Sequence, residues 1–265
     1  MIGLGLVSLV RRESVPDLEP LPASLPGRPL IAMLAALLLV GAGTALVATW
    51  HTARAARTLG VVLSTWLVTL FVPQLVVNPQ NGGTWVVFWE VAALSAAAWL
   101  FASATSEARA DSPSLVASPR VANGTRIVFG LAFVAFGASH FVYHEYVEAV
   151  IPAWIPFHKF FAYATGGAHI AAGVSLLSRV REQLATALLA VMFGSWVLVL
   201  HVPRVIAAPR TGNEWTSLFI AVAMCGAALV FRGCLPAARP SAAHAETSTR
   251  KKLFASLTAA RRSRP

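Results

Sequence analysis

Residues 29–50 read PLIAMLAALLLVGAGTALVATW, a run of 22 positions without a charged side chain. At a rise of ~1.5 Å per residue, a helix of that length crosses a hydrocarbon layer of about 30 Å. A helix is also the one open-ended backbone form that satisfies its own hydrogen bonds in lipid. Five more runs meet the same condition, at 58–78, 84–103, 158–178, 184–203 and 214–231, and a seventh, 127–143, can lengthen towards Val150. The fold expected is an all-α membrane protein, a polytopic helical bundle of seven full spans plus a shortened N-terminal helix.

Composition agrees. Of 265 residues, 57% are apolar and 12% charged, with a mean hydropathy of +0.67, whereas a soluble domain is about half apolar and a quarter charged. That excludes a soluble globular protein. Eighteen Gly and 16 Pro without a period exclude a collagen-like chain, and the apolar content excludes disorder. The net charge of +10 is concentrated in residues 232–265, which carry eight Lys/Arg against Glu246 alone. A basic tail on a multi-span chain points to membrane topology, and no nucleic-acid partner is expected. Leu253, Phe254 and Leu257 among those basic residues suit an anionic lipid surface.

Lys and Arg in the connections set the orientation. The connections 51–57, 104–126 and 179–183 together with the tail hold 15, whereas 1–28, 79–83, 144–159 and 204–213 hold 6. The first set is therefore expected to be cytoplasmic, and Trp85, Trp154 and Trp215 then fall at the outer boundary, where indoles are favoured. Cys225 and Cys234 stand nine residues apart along one helical run, too far to bridge. Met1 to Val10 is apolar with Arg11 and Arg12 after it, the reverse of a secretory signal.

The chain resembles itself at an offset of 130. Leu21-Pro22-Ala23-Ser24-Leu25-Pro26 aligns with Ile151-Pro152-Ala153-Trp154-Ile155-Pro156, and Trp66, Pro73, Pro79, Gly82 and Trp85 with Trp196, Pro203, Pro209, Gly212 and Trp215. Over residues 21–101 there are 21 identities in 81 positions. Apolar composition supplies Ala, Val and Leu matches, but not four prolines and two tryptophans in register. The copies are separated by an even number of spans, so they are expected as parallel repeats about an axis along the membrane normal. Residues 1–13 align with 131–143; the first helix is either a partial span or begins upstream of this sequence. The expected organisation is a first four-helix repeat at 1–103, a cytoplasmic linker at 104–126, a second repeat at 127–231 and a basic cytoplasmic tail at 232–265.

The string Phe129-Gly130-Leu131, Gly137-Ala138-Ser139-His140, Ile151-Pro152-Ala153-Trp154-Ile155-Pro156, Tyr163-Ala164-Thr165-Gly166, Gly173 and His201-Val202-Pro203 resembles the DoxX-like family of small four-helix bacterial membrane proteins. The resemblance covers about 126–231 and extends weakly, through the repeat, over 1–103. It implies a multi-pass protein of the bacterial inner membrane, in a family with some members associated with quinone-linked oxidoreductases. It carries no catalytic set to transfer.

Ionisable groups inside spans are costly and mark sites. Here they are Glu90, His140, His169 and His201, with His144, Glu145, Glu148, His158, Lys159 and Arg204 at the outer edge. Glu90, His140 and His201 are expected at similar depth, ~20–26 Å from the cytoplasmic ends at ~1.5 Å per residue. The repeat supplies a control: the counterparts of His140, His144, His158, His169 and His201 are Val10, Ser14, Arg28, Leu39 and Phe71, and that of Glu90 is Ile220. A residue needed only to build the bundle should tend to recur in both copies. The reading is a ligand-binding site assembled asymmetrically from Glu90, His140, His169 and His201, with Glu90 closest to His140 or His201.

His169 shares a helix face with Gly166 and Gly173 and so is expected to face the interior. His140, His144 and Glu148, spaced four apart, are expected on one face, where they are also weak candidates for a metal. His140 and His201 are the pair that would ligate a haem. A quinone headgroup is the leading ligand, with imidazoles bonding its carbonyl oxygens and a partner protein as the electron carrier; homo-oligomerisation is compatible with this. The contrasting class is a non-catalytic scaffold, assembly factor or small-molecule carrier whose histidines are structural. No Gly-rich phosphate loop, nucleophile elbow or CxxC motif occurs.

Overall fold

The uncharged runs form helices because β-free, unpartnered backbone is excluded from hydrocarbon, and their ends fall where Pro, Gly and polar residues interrupt them. The computed structural model describes residues 1–15, 17–107 and 118–235. In chain order the elements are α1 (Ile2–Arg11), α2 (Arg28–Val47), α3 (Thr52–Trp66), α4 (Val72–Val77), α5 (Gly82–Glu107), α6 (Pro119–Val142), α7 (His144–Val150), α8 (His158–Ser178), α9 (Glu182–Trp196), α10 (Val202–Ala207) and α11 (Gly212–Cys234). A π-helical turn, Leu67–Phe71, joins α3 to α4, and another, Val197–His201, joins α9 to α10. Among the described residues, seven rods are long and apolar enough to cross a membrane: α2, α3 with α4, α5, α6, α8, α9 with α10, and α11. Among the described residues there is no strand. The protein is a multi-pass helical membrane bundle.

The helix boundaries recur at a spacing of 130 residues. Thr52 and Glu182 open α3 and α9, the π turns begin at Leu67 and Val197, and Gly82 and Gly212 open α5 and α11. The π turns have a common cause: Pro73 and Pro203 lack an N–H, and their rings crowd the carbonyl four residues back, so the helix widens by one residue to pass them. Small details recur as well. Trp85 and Trp215 donate Nε1–H to the carbonyls of Pro79 and Pro209, both at 2.9 Å. Leu25 N–H bonds Pro22 O at 3.1 Å and Ile155 N–H bonds Pro152 O at 2.9 Å.

The core lies along α5, the rod with the largest buried share of its span at 56%, against 22% for α2. α5 packs on α3, α6 and α11, while α1 packs on α2 and α11. Where α5, α6 and α11 converge, Phe129 and Phe231 stack with centroids 3.9 Å apart, and Phe133 meets Phe129 edge-on at 4.8 Å. Lipid is as apolar as leucine, so close packing and internal hydrogen bonds hold such helices together. Between α3 and α5, Ser64 Oγ lies 2.9 Å from Ser95 Oγ and accepts from Trp99 Nε1 at 3.1 Å.

Two expectations need correction. The stretch read as a linker, 104–126, is helical at both ends: α5 runs on to Glu107 and α6 begins at Pro119. Ser118 Oγ accepts from Arg120 N–H at 3.2 Å, and Pro119 takes the first helical position, where its missing donor is harmless. Arg126 is buried because its guanidinium caps α8, donating to Leu176 O, and it reaches Asn123 Oδ1 at 2.6 Å. The remaining linker residues, 108–117, and the basic tail from 236 onward lie outside the described residues. Nor does the span at 127–143 lengthen to Val150. It stops at Val142, because Tyr143 leaves helical geometry (φ −112°, ψ 35°) and lays its phenol over Gly82 at the start of α5.

The tightest helix pair is α6 with α8, crossing through Gly130 and Gly137 on one and Gly173 and Gly166 on the other. A Cβ at Gly137 would fall on the Ile170 side chain and 2.6 Å from Gly166 O; one at Gly167 would meet nothing within 4 Å. Gly137→Ala should therefore lower stability by about 1–3 kcal/mol through overpacking. Gly167→Ala should leave it unchanged or raise it by roughly 0.5 kcal/mol. Reversible unfolding of the detergent-purified protein, monitored by circular dichroism, measures both.

Candidate functional site

The glycine crossing sets the geometry of the histidines. Gly130 opposite Gly173 and Gly137 opposite Gly166 put residue 163 level with His140, so His169 lies six residues deeper, about 9 Å along the axis. Side chains lean towards the N-terminus of their own helix. On antiparallel helices, His140 therefore leans down and His169 leans up. Their rings meet with centroids 5.0 Å apart and planes inclined at 34°.

Aromatic rings wall the pair. His169 lies 5.6 Å from Phe133, 6.0 Å from Phe136, 5.9 Å from Phe193 and 5.6 Å, edge-on, from Trp196; His140 lies 6.2 Å from Trp196. His169 is 2% exposed, as its glycine face implied. Among the described residues, neither of its ring nitrogens has a hydrogen-bond partner, and neither does Nδ1 of His140. Each unmet buried polar atom costs about 1–3 kcal/mol. In the first repeat the corresponding positions hold Val10, which is 82% exposed, and Leu39, which belongs to the core with Leu63 and Trp66.

His201 ends the second π turn, with Nδ1 buried and likewise without a partner among the described residues. Its charged neighbours are Arg204 and Glu214, which form a two-pronged ion pair at 2.7 and 2.9 Å. The break at Tyr143 ends the continuous face expected for His140, His144 and Glu148. His144 opens α7 and pairs Nδ1 with Glu148 Oε1 at 2.9 Å, whereas His140 turns to His169. Among the described residues, no three His, Cys, Asp or Glu side chains converge as a metal cluster. His158 Nε2 bonds Pro152 O at 3.2 Å.

Glu90, on α5, has Asp17 as its charged neighbour, from the segment between α1 and α2. Among the described residues no hydrogen bond or ring contact joins it to a histidine. The same segment buries Glu19, 4% exposed, with Oε1 unpartnered among the described residues. A tight turn holds it there: Glu19 N–H bonds Val15 O at 2.7 Å and Leu21 N–H bonds Glu19 O at 2.8 Å. Burial pushes Asp17 up from the usual carboxylate range, and Glu19 up to about 7. Sequence reading missed Asp17 and Glu19 because they lie outside the apolar runs, and it missed Phe193 and Trp196 as site walls because aromatic residues are ordinary in a span. The recurrence of Trp66 as Trp196 was the available signal for the latter.

Comparisons with protein-family models, with curated proteins and with solved structures found no match to this chain.

An acid whose folded pKa is raised opposes folding as it ionises. Below about pH 4.5, its ordinary value, both states are protonated and the penalty is absent; it grows as pH rises and is complete above about 7. Glu19→Gln should therefore match the parent near pH 4 and exceed it at pH 8 by on the order of a few kcal/mol. Unfolding curves at the two pH values give this difference.

Proposed function

We propose that the chain is a membrane component of a redox system, and that a quinone or similar flat, lipid-soluble molecule binds among His140, His169 and His201. The observation that carries the reading is the pair of facing imidazoles with three unmet nitrogens inside an aromatic wall. A quinone is a two-electron acceptor with two carbonyl oxygens on a flat ring. The residues fit such a group: a neutral imidazole offers one N–H donor, and Phe193 and Trp196 offer ring faces and edges. His140 is half-buried, beside His169, and is the natural first contact for a headgroup arriving from lipid. His169 fixes the inner end. His201, with the Arg204–Glu214 pair at its side, is suited to hold or release a proton at Nδ1. In this reading Glu90 belongs with Asp17 and not with the histidines.

The resemblance of 126–231 to the DoxX-like family points the same way, as do the apolar residues Val10, Leu39 and Phe71 at the equivalent positions in the first repeat. We take the two halves to descend from one four-helix unit, of which the second copy carries the site. We place the protein in the bacterial inner membrane with its C-terminus in the cytoplasm, on the 15 to 6 distribution of Lys and Arg.

His169→Phe should fold, since Phe preserves the packing and removes unmet polar atoms. Solvent extraction of the purified protein should then recover at least tenfold less quinone from His169→Phe and from His140→Ala than from the parent. Equal recovery from all three would favour the scaffold or carrier reading. For topology, a periplasm-only reporter fused at Ala149 should be active and one fused at Arg239 silent.

A further inference from the structure

A second feature lies at the opposite end of the second repeat, at the turn between α8 and α9. An apolar groove runs between these helices, lined by Ala168, Ala171 and Ser175 of α8 and by Leu188 and Met192 of α9, with Arg181 at its mouth. Leu184 and Leu188 on its rim are about half exposed, so the groove opens on the surface that faces lipid. Arg179 stands two residues before Arg181, held by a 2.6 Å bond from Nη2 to Asn123 Oδ1. The same oxygen takes a bond from Arg126. Arg126 and Arg179 thus meet at Asn123, with the buried carboxylate of Glu182 at hand, while Arg181, two residues on, stands at the groove mouth.

The first repeat shows what this turn needs. There, Thr49 and His51 occupy the positions of Arg179 and Arg181, and all four residues take the same left-handed backbone, φ 55° and 47° against 60° and 53°. The turn is built without either guanidinium. Ala168, too, has a larger counterpart, Leu38. The groove and its cations are therefore properties of the second copy that the shared backbone does not demand.

We propose that this groove seats one anionic glycerophospholipid, an acyl chain lying along Ala168, Ala171 and Met192 and the phosphate meeting Arg181 and Arg179. The apolar lining and the charge at its mouth both fit that occupant. The groove runs along two spans from the level of the turn, where headgroups lie, and a cation near an anionic lipid surface is worth enough that losing two should weaken binding tenfold or more.

The test uses the full chain in detergent and native mass spectrometry. The probes are phosphatidylglycerol, phosphatidylcholine with the same acyl chains, and water-soluble glycerophosphate. The parent should retain phosphatidylglycerol at least tenfold more tightly than phosphatidylcholine. The double variant Arg179→Thr/Arg181→His, which installs the first repeat's own residues, should lose that preference. Ala168→Leu, also a first-repeat residue, should weaken phosphatidylglycerol while leaving the arginines in place, and glycerophosphate should not compete. Equal binding of the two lipids, a preference surviving in the double variant, unchanged binding to Ala168→Leu, or displacement by equimolar glycerophosphate would each overturn the proposal.

Discussion

The backbone-to-backbone approach of α6 and α8 is the constraint on which the site depends. In a bilayer no hydrophobic force presses one apolar helix on another, so a close crossing must come from surfaces without side chains in the way. Gly130, Gly137, Gly166 and Gly173 provide that surface, each with a carbonyl or side chain of the partner helix where a Cβ would stand. The crossing fixes the relative height of the two helices. That height, with the lean of side chains towards their own N-termini, brings His140 and His169 ring to ring.

The frame around the crossing is used twice and the chemistry once. π turns, proline entries and tryptophan-to-carbonyl bonds recur 130 residues apart, which is what a shared backbone solution requires. Polar side chains do not recur. The first repeat has Val10, 82% exposed, and Leu39, a core residue, where the second has its paired histidines, and it carries the acids Asp17, Glu19 and Glu90; the second carries the imidazoles at its upper end and guanidinium groups at its lower. A repeat that needs no polar group for stability can lose or gain one without losing the fold.

Much of this was legible in the sequence. Runs such as 29–50 and 158–178 became helices within a few residues of their expected ends, since hydrocarbon leaves the backbone no alternative, and Gly166 and Gly173 correctly turned His169 inward. Other features were not legible, for physical reasons. The break at Tyr143 depends on a contact with Gly82, some 60 residues away, and nothing local in Phe141-Val142-Tyr143-His144 announces it. Arg126 reads as a linker charge until the carbonyls at the end of α8 come to it. Glu90 was grouped with the histidines by depth, by its absence from the duplicate position and by the cost of an unpaired carboxylate in lipid, and none of these says which side of a helix faces which neighbour; its charged neighbour is Asp17, from a segment with no apolar signature.

The most direct test of the imidazole pair is solid-state nuclear magnetic resonance of the protein in lipid, with ¹⁵N-labelled histidine assigned by single substitutions, recorded with and without a short-chain quinone. The account predicts that the ring nitrogens of His140 and His169 shift on addition, while His51, exposed at the far end, and His158, bonded to Pro152 O, stay in place. Shifts confined to His51 and His158, or none at any histidine under conditions where the quinone is bound, would contradict it.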